Sequence, residues 1–369
     1  MTNESHQTES FNLPSLSPCV RKWKDLHDPN DKPTFNSPFN LFKDANDVYK
    51  RIQENFTPRQ SDVYIINYPK QGTTWTTQII RKLRDLDAFG RIRMTESIQL
   101  GLFKEEDIPW LEIQANYPDF VDNLNYFDKI PKSVPRYFKS HSPVGLIPRE
   151  TFETTKKLKS ILIIRNPLDQ IVSAWHHHRS KFFFQYQGSF QHFFEQAVLS
   201  NNIENGNWFT FHEEYLQEYQ ENGENNEFLI LKYEDMMADN GYEAIKSLAK
   251  FLNLDKFLSD VEVETIEEIK FQSSFKTMSE IANKNGFFKT IDRKKGNGIQ
   301  SAVKDDLGVL ETGDKNSPSS AQMRLGKVKG WKDYFTVHQL EMWKHFAEKQ
   351  MESSPKLVEL LGKEYILGQ

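Results

Sequence analysis

Apolar residues along the chain form a few short unbroken runs, set between longer stretches in which they return every three or four positions. The runs are Val63 to Ile66, Tyr137-Phe138, Ser160 to Ile164 and Glu227 to Leu231. They are rich in β-branched and aromatic residues, as strands covered on both faces are. Helical spacing fills the intervals: Leu41 to Phe56, stopped by Pro58, then Thr76 to Leu83, Leu168 to Lys181, Ser189 to Leu199, Phe209 to Tyr219, Asp235 to Leu252, Leu258 to Phe271, and Thr336 to about Met351. This alternation predicts an α/β fold: a single domain with a central parallel sheet flanked by crossover helices.

Three stretches interrupt the rhythm. Residues 1–38 are polar, and Pro14, Pro18, Pro29, Pro33 and Pro38 oppose regular structure, so they read as an irregular N-terminal arm ahead of a domain over 39–369. From Asn285 to Gln322 the chain is dense in Gly, Asn, Lys, Asp and Ser with almost no period, which predicts a mobile loop at 285–322. Between Leu86 and Pro135, Phe103, Trp110, Tyr117 and Phe120 are mixed with acidic residues. Those rings are candidates for the wall of a ligand pocket.

With 369 residues, 28 Phe and 13% aromatics, the chain can fill a large core. A net charge of −5 argues against a general nucleic-acid surface while leaving room for a local basic pocket. Cys19 is the sole cysteine, so no intramolecular disulfide and no cysteine-based zinc site can form. The polar, partly acidic start carries no signal-like run and no apolar stretch reaches membrane-spanning length; the expectation is a soluble cytoplasmic protein.

The candidate chemistry sits where the strand candidates end. Tyr68-Pro-Lys-Gln-Gly-Thr-Thr-Trp75 joins the first strand to a helix. Gly72 lets backbone N–H groups approach an anion, Thr73 and Thr74 offer hydroxyls at the helix start, and Lys70 adds a charge. The loop is P-loop-like, yet its lysine precedes the glycine, unlike the nucleoside-triphosphate order. Such a lysine would point at a leaving group beside the loop. Lys139-Ser-His-Ser-Pro143 follows the second run, and Arg165-Asn-Pro with Ser173 eight residues on follows the third. Arginine and serine together suit a second phosphate. Tyr233-Glu-Asp follows the fourth, and Met323-Arg-Leu-Gly-Lys-Val-Lys-Gly-Trp331 lies near the C-terminus.

These five stretches, in this order, resemble the cytosolic sulfotransferases, over roughly residues 40 to 350. The resemblance implies transfer of a sulfuryl group from 3′-phosphoadenosine 5′-phosphosulfate (PAPS) to a hydroxyl or amine of a small-molecule acceptor, with no metal. It implies that Lys70, Gln71, Gly72, Thr73 and Thr74 hold the 5′-phosphate, with Lys70 also steadying the leaving oxygen. Arg165 and Ser173 would hold the 3′-phosphate, with Arg324, Leu325 and Gly326 alongside. Trp75, Tyr233, Ser273, Phe275 and Met278 would surround the adenine. The catalytic set is His141 as general base with Lys70, Lys139 and Ser173. Lys332, Thr336, Val337 and Glu341 match the family's dimerisation pattern, which implies a homodimer.

Several positions carry a second reading. Tyr233-Glu-Asp could cap a helix, and Phe275 and Met278 could be helix core. His176-His-His178 looks metal-like, but consecutive helical residues face different directions. The chain departs from the family pattern at Gln71 (usually serine), Leu325 (lysine) and Lys329 (glycine). A nucleotide-dependent kinase and a non-catalytic nucleotide-binding protein are the alternatives; a kinase would need metal-binding carboxylates and a Lys-Ser/Thr after the glycine. The acceptor stays open between a cationic compound, if Glu96, Glu105, Glu106, Asp107, Glu112, Asp119 and Asp122 face the pocket, and a phenol or hydrophobic alcohol, if the rings do.

Overall fold

The computed structural model describes residues 45–94, 108–115, 119–148, 151–152, 155–156, 158–180, 188–201, 203, 205–221, 226–258, 262–284 and 326–369. The predicted arm and the loop at 285–322 lie outside the described residues, as do Phe103, Tyr117, Arg324 and Leu325. The strands are β1 (Val63–Asn67), β2 (Tyr137–Ser140), the short antiparallel pair β3 (Thr151–Phe152) and β4 (Thr155–Lys156), β5 (Lys159–Ile164) and β6 (Glu227–Lys232). β1, β2, β5 and β6 form one parallel sheet in the order β2-β1-β5-β6. All four predicted strands are present and parallel.

Alternation along the strands divides the core in two. Tyr64, Ile66, Phe138, Leu162 and Ile164 face one layer, together with residues of α1 (Ala45–Asn55), α4 (Phe120–Phe127), α5 (Pro167–Ser180), α7 (Trp208–Glu221) and α12 (Val337–Glu352). Val63, Ile65, Tyr137, Ile161 and Ile163 face the other, against α2 (Thr73–Phe89), α9 (Tyr242–Phe251) and α10 (Glu262–Gln272). The pairings Ile65↔Ile161 and Ile66↔Leu162 align like with like across the sheet. Because the strands are parallel, their C-terminal ends lie along one edge. The chain visits β2 on one side of β1 and then β5 on the other, which makes the β1/β5 gap the switch point where open α/β sheets take ligands.

Several boundaries differ from the sequence expectation. The helix expected from Asp235 to Leu252 is two, α8 (Tyr233–Ala238) and α9, split at Asn240 and Gly241 with φ of 54° and 87°. A side chain at Gly241 would sit 3.1 Å from the Trp75 ring, so both the positive φ and the close ring favour glycine there. The stretch from Leu86 to Pro135 is more regular than expected, holding the end of α2, the four-residue α3 (Leu111–Gln114) and α4. The helix α6 (Phe190–His192) widens into a π-turn over Phe193–Val198, where Leu199 N–H reaches the Phe194 carbonyl at 3.0 Å. After α10 comes α11 (Phe275–Lys284), and after α12 come α13 (Pro355–Leu361) and α14 (Lys363–Leu367).

At the opposite, N-terminal edge of the sheet Arg136 and Asp62 form a bidentate pair at 2.7 and 2.8 Å. Both residues are almost fully buried, and Arg136 also donates to Asp128 and to the Thr57 carbonyl. Removing Asp62 takes two of the buried guanidinium's bonds and leaves Asp128, itself partly exposed, as its remaining carboxylate. We expect Asp62→Ala to lower stability by about 3 kcal/mol in urea unfolding; a loss below about 1 kcal/mol would mean that Asp128 or water compensates Arg136.

Candidate functional site

The β1 loop is bent to present its amides. Lys70 has φ 72° and Gly72 has φ 108°, and a Cβ on Gly72 would lie 2.8 Å from the Tyr233 ring. The carbonyls of Pro69 and Lys70 are held by Gln170 Nε2 at 3.0 Å and Arg165 Nη1 at 3.3 Å. Since C=O and N–H of a trans peptide point opposite ways, the N–H groups of Lys70 and Gln71 face away from those partners. The Gly72 carbonyl accepts the first bond of α2, from Thr76 at 3.1 Å, and no side chain caps the helix. The N–H groups of Thr73 and Trp75 precede the first intrahelical bond. An N-terminus of this kind suits an anion.

Gln71 does not fit the expectation that its side chain serves this loop. It is fully buried and turned inward. In the orientation that satisfies both ends, its amide donates to the Ile163 carbonyl at 2.6 Å and to His212 Nε2 at 3.0 Å, and accepts from Trp208 Nε1 at 2.7 Å. His212 Nδ1–H donates to the Trp208 carbonyl at 2.7 Å, and burial pushes its pKa down to about 3, so the ring is a neutral acceptor at Nε2. Gln71 ties the loop to β5 and α7, and only its backbone N–H can face a phosphate.

Around the switch point the structure brings Arg165, Tyr233 and Trp75 together. The Arg165 guanidinium lies 4.4 Å over the Tyr233 ring, whose edge meets Trp75 at 6.0 Å. Its Nη2 reaches the Lys327 carbonyl at 3.2 Å, while its buried Nε has no partner among the described residues. Ser173 is half-buried on α5. The C-terminal loop returns here: Phe275 would be 2.9 Å from a Cβ on Gly326. Lys329, where glycine was expected, does adopt the left-handed conformation, at φ 59°. Asp169 steadies that conformation, accepting from Lys329 N–H at 2.7 Å and Trp331 N–H at 2.9 Å. Ser273 and Met278 turn inward, and the Ser273 hydroxyl donates to the Ile269 carbonyl at 2.7 Å. Phe275 packs against Gly326 of the C-terminal loop.

At the end of β2, His141 Nδ1–H donates to the Asn67 carbonyl at 2.6 Å, which leaves Nε2 with its lone pair. Removal from water and then the charges of Lys139 and Lys70 hold the imidazole well below its ordinary 6.5, against the pull of the Asn67 hydrogen bond. The edge of the Trp110 ring system meets His141 at 4.7 Å, and Lys139 Nζ lies 3.8 Å over the same indole. Burial lowers the Lys139 ammonium to about 8, with Glu112 opposing. Lys70 Nζ donates toward His177 Nδ1 at 3.5 Å. The three consecutive histidines diverge: His176 pairs with the Tyr334 hydroxyl, His177 meets Lys70, and His178 donates to the Ala174 carbonyl.

Sequence reasoning missed Asn67, Trp110 as a neighbour of the base, and Asp169. Asn67 also reaches Thr73 Oγ1 with its side chain, so one residue touches both the phosphate loop and the base. Asp169, in the first turn of α5, had a readable signal as an acidic residue at a helix start. Asn67 had none, since its main contact is through the backbone.

This edge sets a loop suited to an anion beside a neutral imidazole and three cations, a layout that suits group transfer from a phosphate-bearing donor. The sulfotransferase domain family matches residues 60–355, and the chain belongs to that family. It is 26% identical to human sulfotransferase 2A1 over 310 residues, 84% of this chain and 91% of that protein. It is 28% identical to cytosolic sulfotransferase 1 of Danio rerio over 305 residues, 82% and 86% of the two chains. Its fold is similar to that of mouse sulfotransferase SULT7A1 complexed with PAP, with a TM-score of 0.55, 21% identity and coverage of 84% and 90%. A retinol dehydratase in complex with retinol and PAP is similar too, with a TM-score of 0.56, 19% identity and coverage of 85% and 86%. The protein is an enzyme of the sulfotransferase class.

The electrostatics of this edge predict how its two basic groups titrate. By NMR, the His141 imidazole should remain neutral with its proton on Nδ1 from pH 8 to well below 6.5, and Lys139 should lose its proton near pH 8. An ordinary lysine value near 10.5 at Lys139 would show that water reaches the ammonium.

Proposed function

We propose that the protein transfers a sulfuryl group from PAPS to the hydroxyl of a phenol or hydrophobic alcohol, with His141 as general base. The observation that carries this reading is the His141–Asn67 hydrogen bond, which fixes the imidazole tautomer with Nε2 able to take a proton. The residues present fit the donor. Gly72 takes a left-handed turn in close contact with the Tyr233 ring, which lets the loop present its amides, no side chain caps α2, and Arg165 Nε is buried and unpartnered among the described residues. The 5′-phosphate would lie on Lys70 to Thr74 through backbone amides and the Thr73 and Thr74 hydroxyls, the 3′-phosphate with Arg165 and Ser173, and the adenine by Trp75, Tyr233 and Phe275. PAP in two structures similar to this fold supports the same choice of donor.

PAPS supplies the activated sulfur–oxygen bond. His141 Nε2 takes the acceptor's proton as the acceptor oxygen bonds to sulfur. The bond from sulfur to the bridging oxygen breaks, and 3′-phosphoadenosine 5′-phosphate leaves. Lys70 donates to that bridging oxygen, and Lys139 offsets charge on the sulfuryl oxygens. The low pKa of His141 keeps the base unprotonated through the neutral range, although a weak base gives less driving force for the proton. Positioning and charge therefore carry most of the rate.

The Trp110 ring against His141 favours an apolar or aromatic acceptor beside the base. The retinol in the dehydratase complex supports this class, as does the androsterone in a second retinol dehydratase complex with PAP. Of the acids that would favour a cationic acceptor, Asp119 and Asp122 are exposed to solvent and Glu112 is bonded to Ser140 and Ser142, while Glu96, Glu105, Glu106 and Asp107 lie outside the described residues. We assign a homodimer contact to Lys332, Thr336, Val337 and Glu341, all exposed, where Thr336 caps α12 and Val337 is 76% exposed. A cytoplasmic location accords with the single cysteine.

Thermal unfolding with added nucleotide separates this reading from a kinase. At a hundredfold excess over its Kd, 3′-phosphoadenosine 5′-phosphate should stabilise the protein by about 2.7 kcal/mol, while ATP with magnesium at equal concentration should give little. The reverse preference would overturn the proposal.

A further inference from the structure

The tripeptide that carries the base is held by a buried carboxylate with no part in the chemistry so far. Glu112 lies on α3, is 5% exposed, and accepts at Oε1 from the hydroxyls of both Ser140 and Ser142. The backbone N–H of His141 also favours its charged form. The residues on either side of His141 thus converge on one side chain. Charge-assisted bonds of this kind are about twice as strong as neutral ones, and together they fix the turn at both sides of His141.

Further contacts close the cluster. Ser140 Oγ accepts from Ser142 N–H at 3.0 Å. Because the Ser142 hydroxyl proton is used on Glu112, Tyr49 must be the donor in its 2.9 Å contact with Ser142 Oγ. The Tyr215 hydroxyl donates to the Ser142 carbonyl at 2.7 Å, so α1, α3 and α7 all grip that residue. The residue before α3, Trp110, lies against both His141 and Lys139, and pairs with Lys139 in parallel fashion along the free edge of β2. A short piece of chain, 110–112, therefore presents an indole to the imidazole ring and a carboxylate to its backbone. Burial pushes the Glu112 carboxyl up from its usual range, and the donors from Ser140, Ser142 and His141 pull the other way. A carboxylate so costly to bury needs several partners.

We propose that Glu112 is a positioning residue for the general base, holding Ser140, the His141 backbone and Ser142 so that Nδ1 stays on the Asn67 carbonyl and Nε2 keeps its lone pair. The proposal rests on the reading of His141 as the base. Glu112 touches no reacting atom; it acts through the turn. It also supplies the negative charge that opposes loss of the Lys139 proton.

The test compares Glu112→Gln and Glu112→Ala in the full chain, with unfolding curves to verify that each is folded. Imidazole ¹⁵N spectra, with the His141 signal assigned by its loss in His141→Gln, read the tautomer independently of any turnover. Steady-state sulfation of 2-naphthol from PAPS reads kcat and KM. Glu112→Ala should turn the single Nδ1–H tautomer into a mixture and lower kcat at least tenfold, with the KM for PAPS within twofold. Glu112→Gln, which keeps an oxygen for the two serines, should retain more of both the tautomer and kcat. A folded Glu112→Ala with the wild-type tautomer would overturn the proposal, whatever its kcat. So would equal losses in both variants. Absence of sulfation by the wild type, with the tautomer shifting as expected, would strike the reading of function and leave the positioning role standing.

Discussion

Burial of a parallel sheet on both faces is the constraint from which the rest of this structure follows. Side chains on either side of β1 and β5 are committed to packing, so neither face can host polar chemistry. Each strand must be followed by a connection that starts at the same edge. Asn67, Ser140, Ile164 and Lys232 all end there, and the residues just beyond them are Lys70, His141, Arg165 and Tyr233. Four groups distant in sequence become neighbours without any one loop having to be long. The change of direction between β2 and β5 opens the gap that the loop of β1 and Arg165 flank.

Within that edge, the cost of unusual geometry is met by specific partners. Lys70 and Lys329 both hold left-handed backbone that glycine would adopt more readily. Arg165 binds the carbonyl of the first, and Asp169 binds the amide of the second. The same logic governs charge. Lys70, Lys139 and Arg165 gather where water is partly excluded, which depresses His141 and Lys139 rather than expelling either. A group of cations next to a neutral imidazole is unfavourable without a ligand. A multiply charged anionic donor would relieve it, and so binding and preparation for chemistry use the same free energy.

The strands, their parallel arrangement and the loop from Tyr68 to Trp75 were legible because apolar runs and glycine turns are local signals. The split at Asn240-Gly241 was legible in principle, since Asp239-Asn-Gly is a turn sequence, but the helical period continued across it and masked the break. Gln71 looked like a substitute for a phosphate-binding serine; its burial against His212 and Trp208 depends on α7, more than a hundred residues away, and no local pattern carries that. Lys329 in place of glycine suggested a changed loop, yet the backbone conformation persists because Asp169 is there to hold it. The burial of Ser273 and Met278 follows from how α10 and α11 pack, which depends on contacts that no local pattern carries.

The central claim is that this edge moves a sulfuryl group with His141 as the base. Transfer of ³⁵S from labelled PAPS to 2-naphthol, followed for the wild type and for His141→Ala at equal concentration of folded protein, tests it most directly. Labelled sulfate ester should form with the wild type and fall about 10²-fold or more in the variant. Wild-type turnover in His141→Ala, or no labelled product from any phenol or hydrophobic alcohol, would contradict the account.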